Sequence, residues 1–541
     1  MGLLADVSGT RMDRIRGADA KLLIAGGVAG VLACIGSVMA FEVPAKFVFA
    51  AFAGAVSVLL LALTSNLRQV SLLLVFFCAP LGMRVSFNQF PHMGGAGAIF
   101  IDLVDPFIAI LLFFQWRDTR LRPSRGWLLP PAAVFMLGMI VLGVGSVLAG
   151  PLRTTALNET VRMAKLLLLA LVILNEVLRK RQFEQVTVAI AVMIILQSGI
   201  AITQYLMGRQ LGLSFLGEAP LKDIEALSAA TLLTGDFVYR PDGLLGHANL
   251  LAGFLAMNLP IAVALLLAPV SRRLKFLLAA ALILGMLALV LTLSRTGWIA
   301  YLIAFLLALG LGAVHPDSRR LYSHARGAIL GVTVAIGLLM SPIIAQRIYS
   351  SDPTAVEYRL EWIQTAFAMI RDNPVFGVGL NAYTYNQMHY GRDRSPEALT
   401  DRYGPLWPAV HNSWLLTWTE QGTLGFLLWV AVHVSVLRVG WGNLRIRDPH
   451  IHAMAAGLLA GYIAIMIDGL ASFFVRTEAP GRLYWMAAAL ILAAGCWRLR
   501  EGQAQASGPP AAPQAAEGTG AFLESPAQRG RWLPKSRNPL R

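Results

Sequence analysis

Three residues far apart in the chain have side chains suited to handling a phosphate and a proton: Arg240, Arg295 and His411. Arginine presents a planar fork of donors that matches phosphate oxygens. A histidine near its ordinary pKa of about 6.5 can take a proton from a hydroxyl at neutral pH. Arg240 stands in Tyr239-Arg240-Pro241-Asp242-Gly243. His247 and Asn249 follow within two helical turns, either supporting it or facing neighbouring helices. Arg295 stands in Ser294-Arg295-Thr296-Gly297, a hairpin between two apolar runs, where the following helix N-terminus could itself face an anion. His411 opens His411-Asn412-Ser413-Trp414, where a long polar segment, Arg347 to Pro408, meets an apolar helix.

That polar segment carries further candidates. Arg359, in Tyr358-Arg359-Leu360-Glu361-Trp362, opens an amphipathic helix expected to end near Arg371-Asp372. Tyr383, Tyr385, Trp407 and Trp414 either stack on sugar rings or form an interfacial aromatic belt. The glycines of Phe376-Gly377-Val378-Gly379 lack a βαβ context and read as a tight turn. No Ser-His-Asp order and no zinc-ligand cluster is present, so neither metal nor cofactor is expected.

The elements that position these groups are membrane helices. The chain has 541 residues, 56% hydrophobic and only 14% charged, too little charge to cover a soluble surface. Apolar runs long enough to cross a bilayer recur about fourteen times, from Leu22–Ala40 and Val43–Thr64 to Leu483–Trp497. They include Val70–Val85 and Ile99–Trp116. The fold expected is an all-α polytopic bundle with a helical loop domain at 345–410, between helices of 21–344 and 411–499. Residues 1–20 and a disordered, Gly/Pro/Ala-rich tail at 500–541 flank it. Glu159, Arg162 and Lys165 in the sixth span, and Asp102, Asp105 and Asp468, are membrane-embedded charges that either function or pack the bundle.

The net charge of +15 sits mostly in short loops, which suits membrane orientation rather than nucleic-acid binding. Arg117, Arg120, Arg122 and Arg125; Arg179, Lys180 and Arg181; Arg272, Arg273 and Lys275; and Arg438, Arg445 and Arg447 all fall in alternate loops. Positive charge marks the cytoplasm, so both termini lie inside and the Arg240, Arg295 and His411 segments outside. The three cysteines, Cys34, Cys78 and Cys496, lie in apolar segments and read as small core residues.

His411-Asn412, nine residues, Gly422, two residues and Gly425 together resemble the signature of the O-antigen ligase family, with its related polysaccharide polymerases and O-oligosaccharyltransferases. The Arg240 segment, Ser294-Arg295-Thr296-Gly297 and Asn373-Pro374 through Asn381 are similar to the family's other shared blocks. The resemblance covers about Arg240 to Gly425. It implies a metal-independent, inverting glycosyltransferase of GT-C type in the bacterial inner membrane. Such an enzyme passes a glycan from undecaprenyl diphosphate to an acceptor hydroxyl at the periplasmic face. The acceptor would be a glycan or the lipid A core for a polymerase or ligase, and a protein Ser or Thr for an oligosaccharyltransferase. Arg240 and Arg295 would bind the diphosphate and His411 would activate the acceptor; Arg359, His247, Asn249, Asn412 and Tyr383 would line the substrate site. A secondary transporter or flippase of lipid-linked glycan would use the same bundle without needing His411.

Overall fold

The computed structural model describes residues 66–90, 94–121, 126–219, 229–231, 237–316, 323–350, 353–390 and 409–506. In chain order, α1 (Leu67–Cys78) leads into a hairpin of β1 (Arg84–Phe87) and β2 (Ile99–Asp102). Helices α2 (Asp105–Leu121), α3 (Pro131–Ala149), α4 (Arg153–Glu176) and α5 (Lys180–Met207) follow. A second short hairpin, β3 (Ala229–Thr231) and β4 (Phe237–Tyr239), precedes α6 (Ala248–Leu266), α7 (Arg272–Leu291) and α8 (Arg295–Gly312). Then come α9 (Ser323–Leu339), α10 (Ser341–Tyr349), α11 (Pro353–Asp372) and α12 (Tyr383–Tyr390). The long α13 (Ser413–Gly442), α14 (Pro449–Asp468) and α15 (Glu478–Ala506) complete the chain as described.

This is an all-α polytopic membrane protein. Among the described residues eight helices are long and apolar enough to cross a bilayer, or nine if α9 and α10, bent by 61°, form one broken span. The helix α4 is not among the eight because Glu159, Arg162 and Lys165 fall inside it. The first two expected spans lie outside the described residues. Val70–Val85 and Ile99–Trp116 differ from expectation: each divides into a helix and a strand. Pro80 and Gly82 follow the end of α1, and Arg84 pairs with Asp102 across the hairpin. The last helix runs to Ala506, past the point where a disordered tail was expected to begin.

In lipid no hydrophobic effect drives helices together, so association depends on close backbone approach at small residues. Gly457 and Gly461 on α14 provide it against α6. A Cβ on Gly461 would stand 1.9 Å from the Met257 carbonyl oxygen, and one on Gly457 2.5 Å from the Ile261 Cα. Gly461→Val is expected to cost about 1–3 kcal/mol through overpacking, read as a lower unfolding temperature of the solubilised protein. Gly331→Ala, where a Cβ meets nothing within 4 Å, leaves that temperature unchanged.

Candidate functional site

The hairpin between α7 and α8 turns at Leu293, a buried leucine with φ of 53°, in the left-handed region that L side chains seldom occupy. Arginines take two carbonyl oxygens of the turn. Arg240 donates from Nε to the Thr292 oxygen at 2.8 Å, and Arg347 from Nε to the Leu293 oxygen at 3.1 Å. Nη2 of Arg240 donates to Asn249 Oδ1 at 2.6 Å, so Asn249 holds the fork rather than facing another helix. Arg295, exposed at the first turn of α8, reaches the end of α10. It donates to the Arg347 carbonyl at 3.1 and 2.7 Å, to Ser350 Oγ at 3.3 Å and also to the Ser350 carbonyl. A guanidinium on the last carbonyls of a helix also suits the helix dipole.

Among the described residues no carboxylate pairs with Arg240 or Arg295. Burial, with the positive charges of Arg347 and Arg359, lowers the pKa of Arg240 to about 9. Desolvation and the charge of Arg295 lower that of Arg359. These four guanidinium groups are therefore electrostatic neighbours. Other embedded cations among the described residues are paired. Arg162 bonds Glu159 at 2.5 Å, Arg476 bridges Glu159 at 3.1 Å and Glu420 at 2.7 Å, and Lys165 and Arg482 share Asp102 at 2.8 and 2.7 Å. Of the two readings open for Glu159, Arg162, Lys165 and Asp102, the contacts support packing of the bundle.

His411 joins the arginines through two signals: Arg359 lowers its pKa, and its own charge lowers that of His247. Its Nδ1 lies 3.1 Å from the Ala409 carbonyl, which can only accept, so Nδ1 carries the hydrogen and Nε2 keeps a lone pair. The ring stacks on Trp362 at 5.0 Å and 14°, with the Phe473 edge against it at 5.0 Å and 70°. Burial and the Arg359 charge bring its pKa down to about 4, against the ordinary value expected from sequence. The imidazole is thus neutral at physiological pH. His247, N-cap of α6, accepts the Asn249 N–H at Nδ1 over 3.0 Å, so its Nε2 carries the hydrogen. Burial, then Arg240, takes its pKa to about 3. One ring thus offers a proton acceptor and its neighbour a donor.

The glycine of the His411 motif explains how Trp362 is held. Gly422 (φ 64°, ψ −171°) breaks α13, and the segment after α11 docks in the break. Thr423 N–H donates to the Pro374 carbonyl at 2.8 Å, while Val378 and Gly379 N–H donate to Thr419 and Glu420 carbonyls at 2.9 and 3.0 Å. A Cβ on Gly422 would lie 2.2 Å from the Val375 carbonyl oxygen. The expected tight turn at Gly377–Gly379 is this docking segment. Asn412 caps α13, accepting from the Trp414 and Leu415 N–H groups at 3.0 Å each, so its oxygen is committed to the backbone. Tyr383 is fully buried and donates to the Trp362 carbonyl at 2.9 Å, which removes it from a sugar-stacking role. Sequence reasoning did not single out Arg347, Trp362 or Phe473 as site residues. Arg347 carried the same signal as Arg295, a basic residue expected on the outer side, and Trp362 lies one turn beyond Arg359.

The polytopic bundle thus brings guanidinium groups together at the turn of Leu293 and couples two imidazoles to them electrostatically. The family described as O-antigen ligase matches residues 279–430. That stretch is similar to the O-antigen ligase family; it includes Arg295, Arg359 and His411 and leaves Arg240 outside. The match supports an enzyme of ligase or polymerase type. Comparison with curated proteins gave no match.

Removing a positive charge beside His411 should make the ring easier to protonate. Arg359→Gln is expected to move the His411 midpoint upward from about 4, read by NMR of isotope-labelled histidine in the solubilised protein. A midpoint unmoved by the substitution would separate the two residues.

Proposed function

We propose that the chain transfers a glycan from undecaprenyl diphosphate to an acceptor hydroxyl, on a glycan or the lipid A core, at the periplasmic face of the inner membrane. The observation that carries this reading is an imidazole with no described partner on Nε2 beside Arg359, which is itself an electrostatic neighbour of Arg240 and Arg295, and those two have neutral oxygens as their described partners. Arg240 and Arg295, with Arg359, hold the diphosphate. The acceptor oxygen attacks the anomeric carbon as its proton passes to Nε2 of His411. The bond from that carbon to the diphosphate oxygen breaks, and its electron pair leaves with the lipid diphosphate. The leaving oxygen gains negative charge as this happens, so fixed guanidinium groups stabilise the transition state more than the ground state. Attack from the side opposite the leaving group inverts the anomeric centre. His247 donates to a diphosphate or sugar oxygen, and Asn249 keeps the Arg240 fork in plane. No step in this scheme requires a metal.

The depressed pKa of His411 leaves the base form present at all pH values well above about 4. Bound diphosphate offsets the nearby positive charge and makes the ring a stronger base as the substrate arrives.

The test is glycan transfer to acceptor in membranes carrying folded variants. His411→Ala is expected to lose on the order of 10²–10⁴-fold in rate. Arg295→Lys, which keeps the charge but not the fork, is expected to lose on the order of 10²-fold or more. Full transfer by membrane-inserted His411→Ala would refute the base assignment.

A further inference from the structure

A large cavity of the bundle lies away from this site. It occupies about 670 Å³, whereas the cavity beside Asp102 and Lys165 holds about 20 Å³. It is bounded by the start of α1, the end of α2, the end of α4, the start of α5 and Arg500 of α15. The α4 helix fixes its place. Near the helix start, the Thr155 carbonyl accepts from Asn381 at 3.1 Å, on the side of the outer loop, whereas Glu176 at its other end lines the cavity. Twenty-four helical residues separate the two ends by about 36 Å.

Five guanidinium groups line this cavity, those of Arg68, Arg117, Arg179, Arg181 and Arg500, against two carboxylates, Asp118 and Glu176. Arg68 binds both carboxylates, at 2.5 Å to Asp118 and 2.7 Å to Glu176. Among the described residues the lining keeps a surplus of three positive charges. Arg179 and Arg181 are exposed, and Trp127 and Leu128 give the cavity an apolar side. An indole beside several guanidinium groups at the end of a transmembrane bundle suits a molecule with a phosphate head and an acyl tail.

We propose that this cavity binds the phosphate of an anionic phospholipid headgroup from the leaflet at the arginine-rich end. Trp127 and Leu128 border the start of its acyl chains, and Arg179 and Arg181 contact the phosphate. The lipid links α2, α4, α5 and α15 at the end opposite the candidate functional site. This assignment does not depend on the proposed transferase activity.

The experiment uses the full chain, purified and placed in nanodiscs of phosphatidylcholine doped with phosphatidylglycerol. Retained lipid is counted by native mass spectrometry, and unfolding temperature is followed alongside. Each guanidinium removed near an anionic headgroup costs roughly fivefold in affinity. Arg179→Ala/Arg181→Ala is therefore expected to lose on the order of thirtyfold in phosphatidylglycerol retention. Arg371→Ala, a control at an exposed side chain of α11, retains it as the wild type does. Phosphatidylglycerol should raise the unfolding temperature of the wild type and not of the double variant. Retention unchanged in the double variant, or equal retention of phosphatidylcholine by the wild type, overturns the proposal. Equal stabilisation by inorganic phosphate alone overturns the lipid assignment in favour of a free anion.

Discussion

Arg240 and Arg347 bond to the carbonyl oxygens of Thr292 and Leu293, and Arg295 in turn bonds to the Arg347 carbonyl. Carbonyl dipoles fix a guanidinium in space without cancelling its charge. The contrast with the rest of the bundle is instructive. Arg162, Arg476, Arg482 and Lys165 meet carboxylates, which makes them neutral cross-links that tie α4, α13, α15, the turn before α15 and β2 together. Burying a guanidinium and crowding like charges around it are both unfavourable, and burial first, then Arg347 and Arg359, lower the pKa of Arg240. On the proposed reading, an arriving diphosphate would relieve that repulsion, and the cost of assembling the cluster would reappear as affinity for it.

The imidazole is tied to this turn by a longer mechanical chain. Gly422 opens α13, the Pro374–Gly379 segment fills the opening, and that segment ends α11. The α11 helix carries both Trp362, against which His411 stacks, and Arg359, whose charge depresses its pKa. On the other side, Ser413 N–H donates to the Gly469 and Ser472 carbonyls at 2.8 and 3.0 Å, holding the histidine loop to the end of α14. Asp468, a membrane-embedded acid that sequence left without a partner, bonds Ser472 Oγ at 2.5 Å and lies within reach of the Thr296 hydroxyl. It thereby links the histidine loop to the Arg295 turn.

Much of this was legible in the sequence because lipid leaves the chain few options. Most long apolar runs had to be helices, and each basic residue among the outer segments stood out against the charge bias of the loops. The spacing from His411 to Gly422 was readable as a motif, but its cause was not, since Gly422 is required by a segment nearly fifty residues earlier in the chain. Local patterning likewise could not reveal that Tyr383 is buried beneath α11, because an aromatic near an interface has the same signature whether it faces sugar or core. The hairpin of β1 and β2 was hidden inside apolar runs that counted as spans. Apolarity alone does not separate a buried strand from a membrane helix. The pKa of His411 depends on Arg359, fifty-two positions away, and no composition argument supplies it.

Convergence of the cations and the imidazole on one diphosphate is the claim on which the account rests, and the titration of His411 with and without that ligand tests it most directly. In the free protein the ring should titrate near pH 4. With undecaprenyl diphosphate bound at saturation, the added negative charge beside Arg240, Arg295 and Arg359 should carry the midpoint well upward, toward the ordinary histidine value. A midpoint that stays in place while the lipid is demonstrably bound would mean that the diphosphate and His411 occupy separate sites, and the account would fail.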